Sequence, residues 1–162
     1  MNTMKCCNLF TGNITFGSHS LHEITMYYPM RSARTAQFAL IENLAHLSPF
    51  PIDQDFYLSP SFQDLLNRTR DKRPTRWFKS LDQYYYRKRY ELYDVIADPL
   101  ESRNLAGDPG YRKQFERLLR EMRKWQNATL DPFRCLPGGV LEDAGAFKSN
   151  PQCFPLLQNG IL

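Results

Sequence analysis

The chain has 162 residues, with 21 Lys and Arg, 17 Asp and Glu, 42% hydrophobic and 14% aromatic residues. That composition can bury the core of one ordinary domain, which excludes a wholly disordered chain. No run approaches the ~20 apolar residues that span a bilayer, and the mean hydropathy of −0.54 agrees that no membrane protein is expected, nor a membrane among its partners.

Residues 1–15 read as an atypical, poorly ordered segment. The first ten hold one Lys and no apolar stretch of signal-peptide length, and the adjacent Cys6 and Cys7 cannot readily bridge each other. His19 and His22 lie three apart with Glu23 adjacent. H-S-L-H-E lacks the spacing of zinc-protease motifs and places no third ligand, so a polar strand edge or pocket wall is expected there. Residues 22–28, rich in β-branched and aromatic side chains, predict a first strand ending at Pro29. Residues 37–43 predict a second, buried strand, with 31–35 as a hairpin connection or an extension of that strand.

Pro49, Pro51, Pro60 and Pro74 punctuate a loop-rich stretch over 45–80, each holding its predecessor out of the α region. His46 within it carries no signal. Asp53-Gln54-Asp55 opens like a calcium-binding loop, but Phe56 and Pro60 break the pattern and leave a turn held by side-chain oxygens. Ser59-Pro60 ahead of Phe62, Leu65 and Leu66 predicts a short helix. Residues 83–95 predict the third strand. On a period of two, Tyr84, Tyr86, Tyr90 and Leu92 share a packed face with Lys88, while Tyr85, Arg87, Arg89, Glu91 and Tyr93 share the charged one.

Asp98-Pro99 ends that strand in a turn. Asp108 as N-cap, Pro109 at the first helical position, and Phe115, Leu118, Leu119, Met122 and Trp125 at helical spacing predict an amphipathic helix. Lys113, Arg117, Arg120 and Lys124 form its outer face. The expected fold class is therefore α+β, a small antiparallel β-sheet packed against one long C-terminal amphipathic helix.

Charge is uneven along the chain. Residues 68–89 hold nine bases (Arg68, Arg70, Lys72, Arg73, Arg76, Lys79, Arg87, Lys88, Arg89) against Asp71 and Asp82, so the net +4 leaves −3 for the remainder. Such a stretch invites a polyanion or is simply a solvated face. The run from Tyr84 to Tyr90 mixes bases and aromatics as single-strand nucleic-acid platforms do. The strand alternation turns three of its tyrosines inward, though, and no RNP1, KH or zinc-knuckle pattern accompanies it, so no nucleic-acid partner is expected. Arg87 and Arg89 remain candidate polyanion contacts.

Cys135 and Cys153 flank a Gly/Pro-rich stretch, and closing that loop would remove about 3 kcal/mol of unfolded-state entropy. Sequons at Asn13, Asn67 and Asn127, taken with such a bridge, favour an oxidising, secretory compartment. No G-x-S-x-G, P-loop or G-x-G-x-x-G is present.

From Glu91-Leu92-Tyr93-Asp94-Val95 through Asp98-Pro99-Leu100-Glu101 to Asn104-Leu105-Ala106, the chain resembles the C-terminal signature of the sulfatases. That pattern is E-L-Y-D-L-x-x-D-P-x-E-x-x-N-L-A, followed by a helix ending near a Trp, here Trp125. Every specified position is met except Val95, where the pattern has Leu. Met30-Arg31-Ser32-Ala33-Arg34-Thr35 and Phe38-Ala39-Leu40-Ile41 resemble the strand segment that precedes it. Residues 22–26, 49–57 and 62–69, with the tail from Cys135 to Cys153, narrow the likeness to the sulfamidase branch, which degrades heparan sulfate. It covers about residues 16–157.

The resemblance implies a division of labour. Sulfatases act through a formylglycine made from the Cys or Ser of a C-x-P-S-R motif, with calcium held by Asp and Asn, and these groups belong to a large N-terminal domain. Cys135-Leu136-Pro137-Gly138-Gly139 begins alike but has Gly139 where Arg is required, and the resemblance places Cys135 in a tail disulfide with Cys153. No catalytic, cofactor or metal residue is thus expected in this chain; calcium and formylglycine are implied for the intact enzyme.

The implied assignment is a C-terminal subdomain over 16–162 with a disulfide-closed tail at 135–153, inactive alone. Its implied partners are the catalytic sulfatase domain, a heparan sulfate-type glycan and, through an exposed sheet face, a second copy as homodimer. Its implied location is the lysosome. His22, Glu23 and Arg31 are the candidate pocket or domain-interface residues, with buried ion pairing at a strand edge as the competing role. The alternative reading is a non-catalytic module that binds acidic glycans through a basic strand and loop.

Overall fold

A computed structural model of the chain describes residues 13–21 and 26–157. Four strands, β1 (Thr15–Leu21), β2 (Tyr27–Arg34), β3 (Phe38–Asn43) and β4 (Tyr90–Asp94), pair antiparallel in that order. Three short helices, α1 (Gln54–Leu58), α2 (Pro60–Arg70) and α3 (Leu81–Tyr85), occupy the connection from β3 to β4. The long helix α4 (Arg112–Ala128) follows, then a two-stranded tail sheet of β5 (Gly139–Glu142) and β6 (Gln152–Pro155).

The register explains where the core sits. Phe16 pairs with Ala33, Ala33 with Leu40 and Leu40 with Leu92, so one row of apolar side chains crosses all four strands. Helix α4 covers that row: Leu118 and Met122 are buried with Ala33, Leu40, Leu92 and Leu105. Trp125 stacks on Phe16 with ring centroids 5.4 Å apart. Asp108 and Pro109 open a 3-10 turn rather than α4 itself, which begins three residues later at Arg112. The Asp108 carboxylate accepts the Gly110 N–H at 2.9 Å, and a single 3-10 turn over Pro109–Tyr111 leads into α4. Lys113, Arg117, Arg120 and Lys124 stay exposed. The α+β class and the covering helix are as expected.

The sheet has four strands rather than three. Thr-Phe-Gly-Ser-His-Ser-Leu is a weak strand sequence, and it pairs because Phe16 finds Trp125. Gly17 is needed in it, since a Cβ there would meet Ser32 Oγ at 2.8 Å. Pro29 does not end β2, which continues through residues 31–34, and the turn falls at 35–37. Without an N–H, Pro29 stands beside the irregular register between His19 and Leu21, and its carbonyl accepts the Leu44 N–H at 3.0 Å.

Residues 83–89 are not strand either. Ser80 Oγ accepts the Gln83 N–H at 3.1 Å and Gln83 Oε1 accepts the Ser80 N–H at 2.9 Å, a reciprocal cap that starts α3. The two faces expected for Tyr84 to Lys88 therefore do not form. Strand β4 itself is buried on both sides, with Leu92 toward α4 and Glu91 and Tyr93 away from it.

Ser59 caps α2 as anticipated, and the helix runs on to Arg70. Asp53 accepts the Phe56 N–H at 2.9 Å as the cap of α1. Cys135 and Cys153 are bonded across 18 residues, with Cα atoms 5.4 Å apart. Gly139 lies so close to β6 that a Cβ would meet the Phe154 carbonyl oxygen at 2.7 Å, which leaves no room for an Arg. Cys6 and Cys7 lie outside the described residues. No described helix is long and apolar enough to cross a membrane.

Candidate functional site

The signature stretch builds shape. Asp94 accepts the Ile96 and Ala97 N–H groups at 3.1 and 3.0 Å and the Gln37 amide at 2.8 Å, and these bonds, Ala97's foremost, hold its carboxyl below the ordinary range. Asp98 accepts the Arg103 and Ser102 N–H groups and the Ser102 hydroxyl, with the same effect. Asn104 Oδ1 accepts the Leu92 and Ala106 N–H groups while Nδ2 donates to the Tyr90 carbonyl at 3.0 Å, which seats Leu105 in the core.

Two residues along the strands from the apolar row, Ser18, Arg31, Glu42 and Tyr90 form a polar row on the α4 side. Arg31 is 3% exposed. Its Nε and Nη2 each donate at 2.7 Å to a different oxygen of Asp131, Nη1 donates to the Met30 carbonyl, and the Phe133 ring lies 4.9 Å from the guanidinium. Gln126 Nε2 and the Phe133 N–H also donate to Asp131, at 3.0 and 3.1 Å. Burial raises the Asp131 carboxyl, and the bonds from Arg31 and Gln126 outweigh it, leaving its pKa below the ordinary value.

Beside this pair, the fully buried Glu42 accepts from Arg123 at 2.6 Å and Arg89 at 3.3 Å. Burial opposes the Arg123 charge, but the bond to Glu42 outweighs it and raises its pKa. The two clusters clamp α4 and the following loop onto the sheet.

The far face of the sheet carries a cleft. A cavity of about 590 Å³ opens between residues 78–88 and residues 102–107, with Glu91 and Tyr93 of β4 in its wall. The Tyr93 hydroxyl donates to Glu91 Oε2 at 2.8 Å and Asn43 Nδ2 donates to Oε1 at 2.9 Å. Burial first, and then the Glu91 bond, push the Tyr93 hydroxyl well above the ordinary phenol range, so it stays a donor. Phe78 and Tyr86 present exposed rings to the opening, and Lys79, Arg87 and Lys88 bring cations. These groups can stack, donate hydrogen bonds and attract anions. Ser102, also in the lining, donates its hydroxyl to Asp98 at 3.0 Å as part of the signature turn.

The candidate residues are thus scattered. Arg31 lies in the buried pair with Asp131, Arg89 answers Glu42, and the Arg87 guanidinium sits 4.4 Å from the Phe50 ring at the edge of the cleft. His19 is exposed on β1; His22 and Glu23 lie outside the described residues. Asn13 and Asn127 are exposed and Asn67 is half-buried on α2. Sequence reasoning missed Phe78 and the opening-side role of Tyr86. The signal for both was the S-x-x-Q cap at Ser80, which ends the strand reading.

Among the described residues no three His, Cys, Asp or Glu side chains are grouped to hold a metal ion, and Cys135 is bonded to Cys153.

The chain is 55% identical over 141 residues to human N-sulphoglucosamine sulphohydrolase, a match covering 87% of this chain and 27% of that protein. It is 26% identical over 113 residues to an ulvan-active sulfatase of Formosa agariphila, covering 63% of this chain and 17% of that one. A crystal structure of a Bacteroides thetaiotaomicron protein described as a sulfatase aligns over 81% of this chain and 19% of its own, at 16% identity and a TM-score of 0.48. No protein-family model matches the chain. The chain spans well under a third of the length of the curated relatives it matches.

Proposed function

We propose that this chain, a sulfatase C-terminal region, serves as the accessory lobe of an N-sulfoglucosamine sulfohydrolase that removes N-linked sulfate from heparan sulfate in the lysosome. The observation that carries the reading is the 55% identity over 141 residues to the human enzyme. In this reading formylglycine and calcium reside on a catalytic sulfatase domain, and S–N cleavage requires that partner. The lobe's own contribution is rigidity. The signature turns, the row under α4 and the tail bridge hold one shape against which a larger domain can seat, and the exposed Asn13 and Asn127 are where glycans would attach.

The full chain, incubated alone with an N-sulfoglucosamine substrate, is expected to release no sulfate above the uncatalysed rate. Release that disappears in Cys135→Ala would overturn the proposal, because it would make that cysteine a nucleophile.

A further inference from the structure

The basic stretch noted in the sequence resolves into two sets. Arg68, Arg70, Arg73 and Arg89 pair with Asp64, Asp71, Asp71 and Glu42. Lys72, Arg76, Lys79, Arg87 and Lys88 make no ion pair among the described residues. Three of these five, Lys79, Arg87 and Lys88, line this cavity, whereas Lys72 and Arg76 do not. Arg87 Nε is buried there with no hydrogen-bond partner among the described residues. Glu91 is the carboxylate in the lining, and both of its oxygens already accept bonds from Asn43 and Tyr93.

The rest of the lining is aromatic. Phe78 is 54% and Tyr86 58% exposed, an arrangement that costs apolar hydration unless something flat covers the rings. Cations without ion-pair partners, exposed rings and a concave wall together match a ring-shaped ligand with a hydrophobic face and an anionic edge. A sulfated sugar has both.

We infer that this cavity is a binding site for a sulfated saccharide, whose ring packs on Tyr86 and Phe78 and whose sulfate meets Lys79, Arg87 and Lys88. The inference deepens the proposed function and rests on it for the kind of glycan. The site itself rests on the cavity and on cations that make no ion pair among the described residues. It also shifts the polyanion contact: Arg89 is held by Glu42, and Lys79 and Lys88 take its place beside Arg87.

The test is a titration of the full chain with a heparin-derived N-sulfated tetrasaccharide, read by calorimetry and by amide chemical shifts. Saturable binding should shift the Gln83, Tyr86, Lys88 and Gly107 amides. Lys79→Ala/Lys88→Ala and Tyr86→Ala should each raise Kd about ten-fold, while Lys72→Ala/Arg76→Ala, with the same loss of charge, should change it less than about two-fold.

Absence of saturable binding would overturn the inference, as would shifts elsewhere or equal weakening by the Lys72 and Arg76 pair. Loss of association with a co-expressed catalytic sulfatase domain, with saccharide binding intact, would make the cavity a domain contact and overturn it too. If the lysine variant fails to fold, the shift map of the unsubstituted chain decides. Binding is read without turnover, so failure here leaves the sulfohydrolase reading standing, and failure of that reading leaves this result interpretable.

Discussion

Asp131→Asn is expected to cost about 3–5 kcal/mol of folding stability, because it leaves the Arg31 guanidinium buried without a counter-charge. Arg31 is 3% exposed and directs two nitrogens at Asp131, so no water can easily replace the lost carboxylate. For a domain of this size that loss corresponds to a fall in Tm of roughly 6–20 °C. The pair also joins residues 100 apart in the chain, so the variant should loosen the tail from β2.

Replacing both partners, Arg31→Met with Asp131→Leu, should recover most of the loss, since a buried ion pair seldom outperforms apolar packing of similar volume. The two variants are compared by thermal and urea unfolding. A stability of Asp131→Asn equal to the parent would show that the pair does not hold the tail.

The pH dependence follows from the same carboxyl. Its pKa is below the ordinary value in the folded chain, so folding is favoured while it is ionised in both states. That stabilisation is complete above the ordinary Asp pKa of about 3.9 and is lost as pH falls further, through the folded value. The parent should therefore lose more stability on acidification below about pH 4 than the doubly substituted chain does.

Leu40→Ala is expected to cost about 2–5 kcal/mol, the range for truncating a buried leucine that its neighbours cannot fill. Leu40 is 0% exposed in a central strand, flanked in register by Ala33 and Leu92 and covered by Leu118 and Met122 of α4. Collapse into the gap would need two strands and the helix to move together. Leu47→Ala, at a site 82% exposed, should change stability by less than about 0.5 kcal/mol. Urea midpoints for the two variants that fall together would contradict the register described above.

What could be read in advance was local. Helix α4 was legible because the capped turn at Asp108 that leads into it and its apolar stripe from Phe115 to Trp125 need no distant partner to be recognised. Strand β1 was not, because a Gly- and Ser-containing segment becomes a strand only when Trp125, about a hundred residues later, gives Phe16 a surface. The Tyr and Arg alternation after residue 83 imitates a strand, yet the cap at Ser80 is stronger than the pattern. The basic stretch could be counted, but its pairing could not, since Glu42 and Arg89 meet only through the register of β3 and β4. Arg31 could be singled out while Asp131 could not, for the same reason.

The most direct measurement is sulfate release by a chimera in which this chain replaces the matching C-terminal segment of human N-sulphoglucosamine sulphohydrolase. The chimera should fold and cleave N-sulfoglucosamine at a rate within about ten-fold of the human enzyme, given that a misplacement of ~1 Å alone costs about 10²-fold. A folded chimera without turnover would contradict the assignment of this chain as that enzyme's accessory lobe.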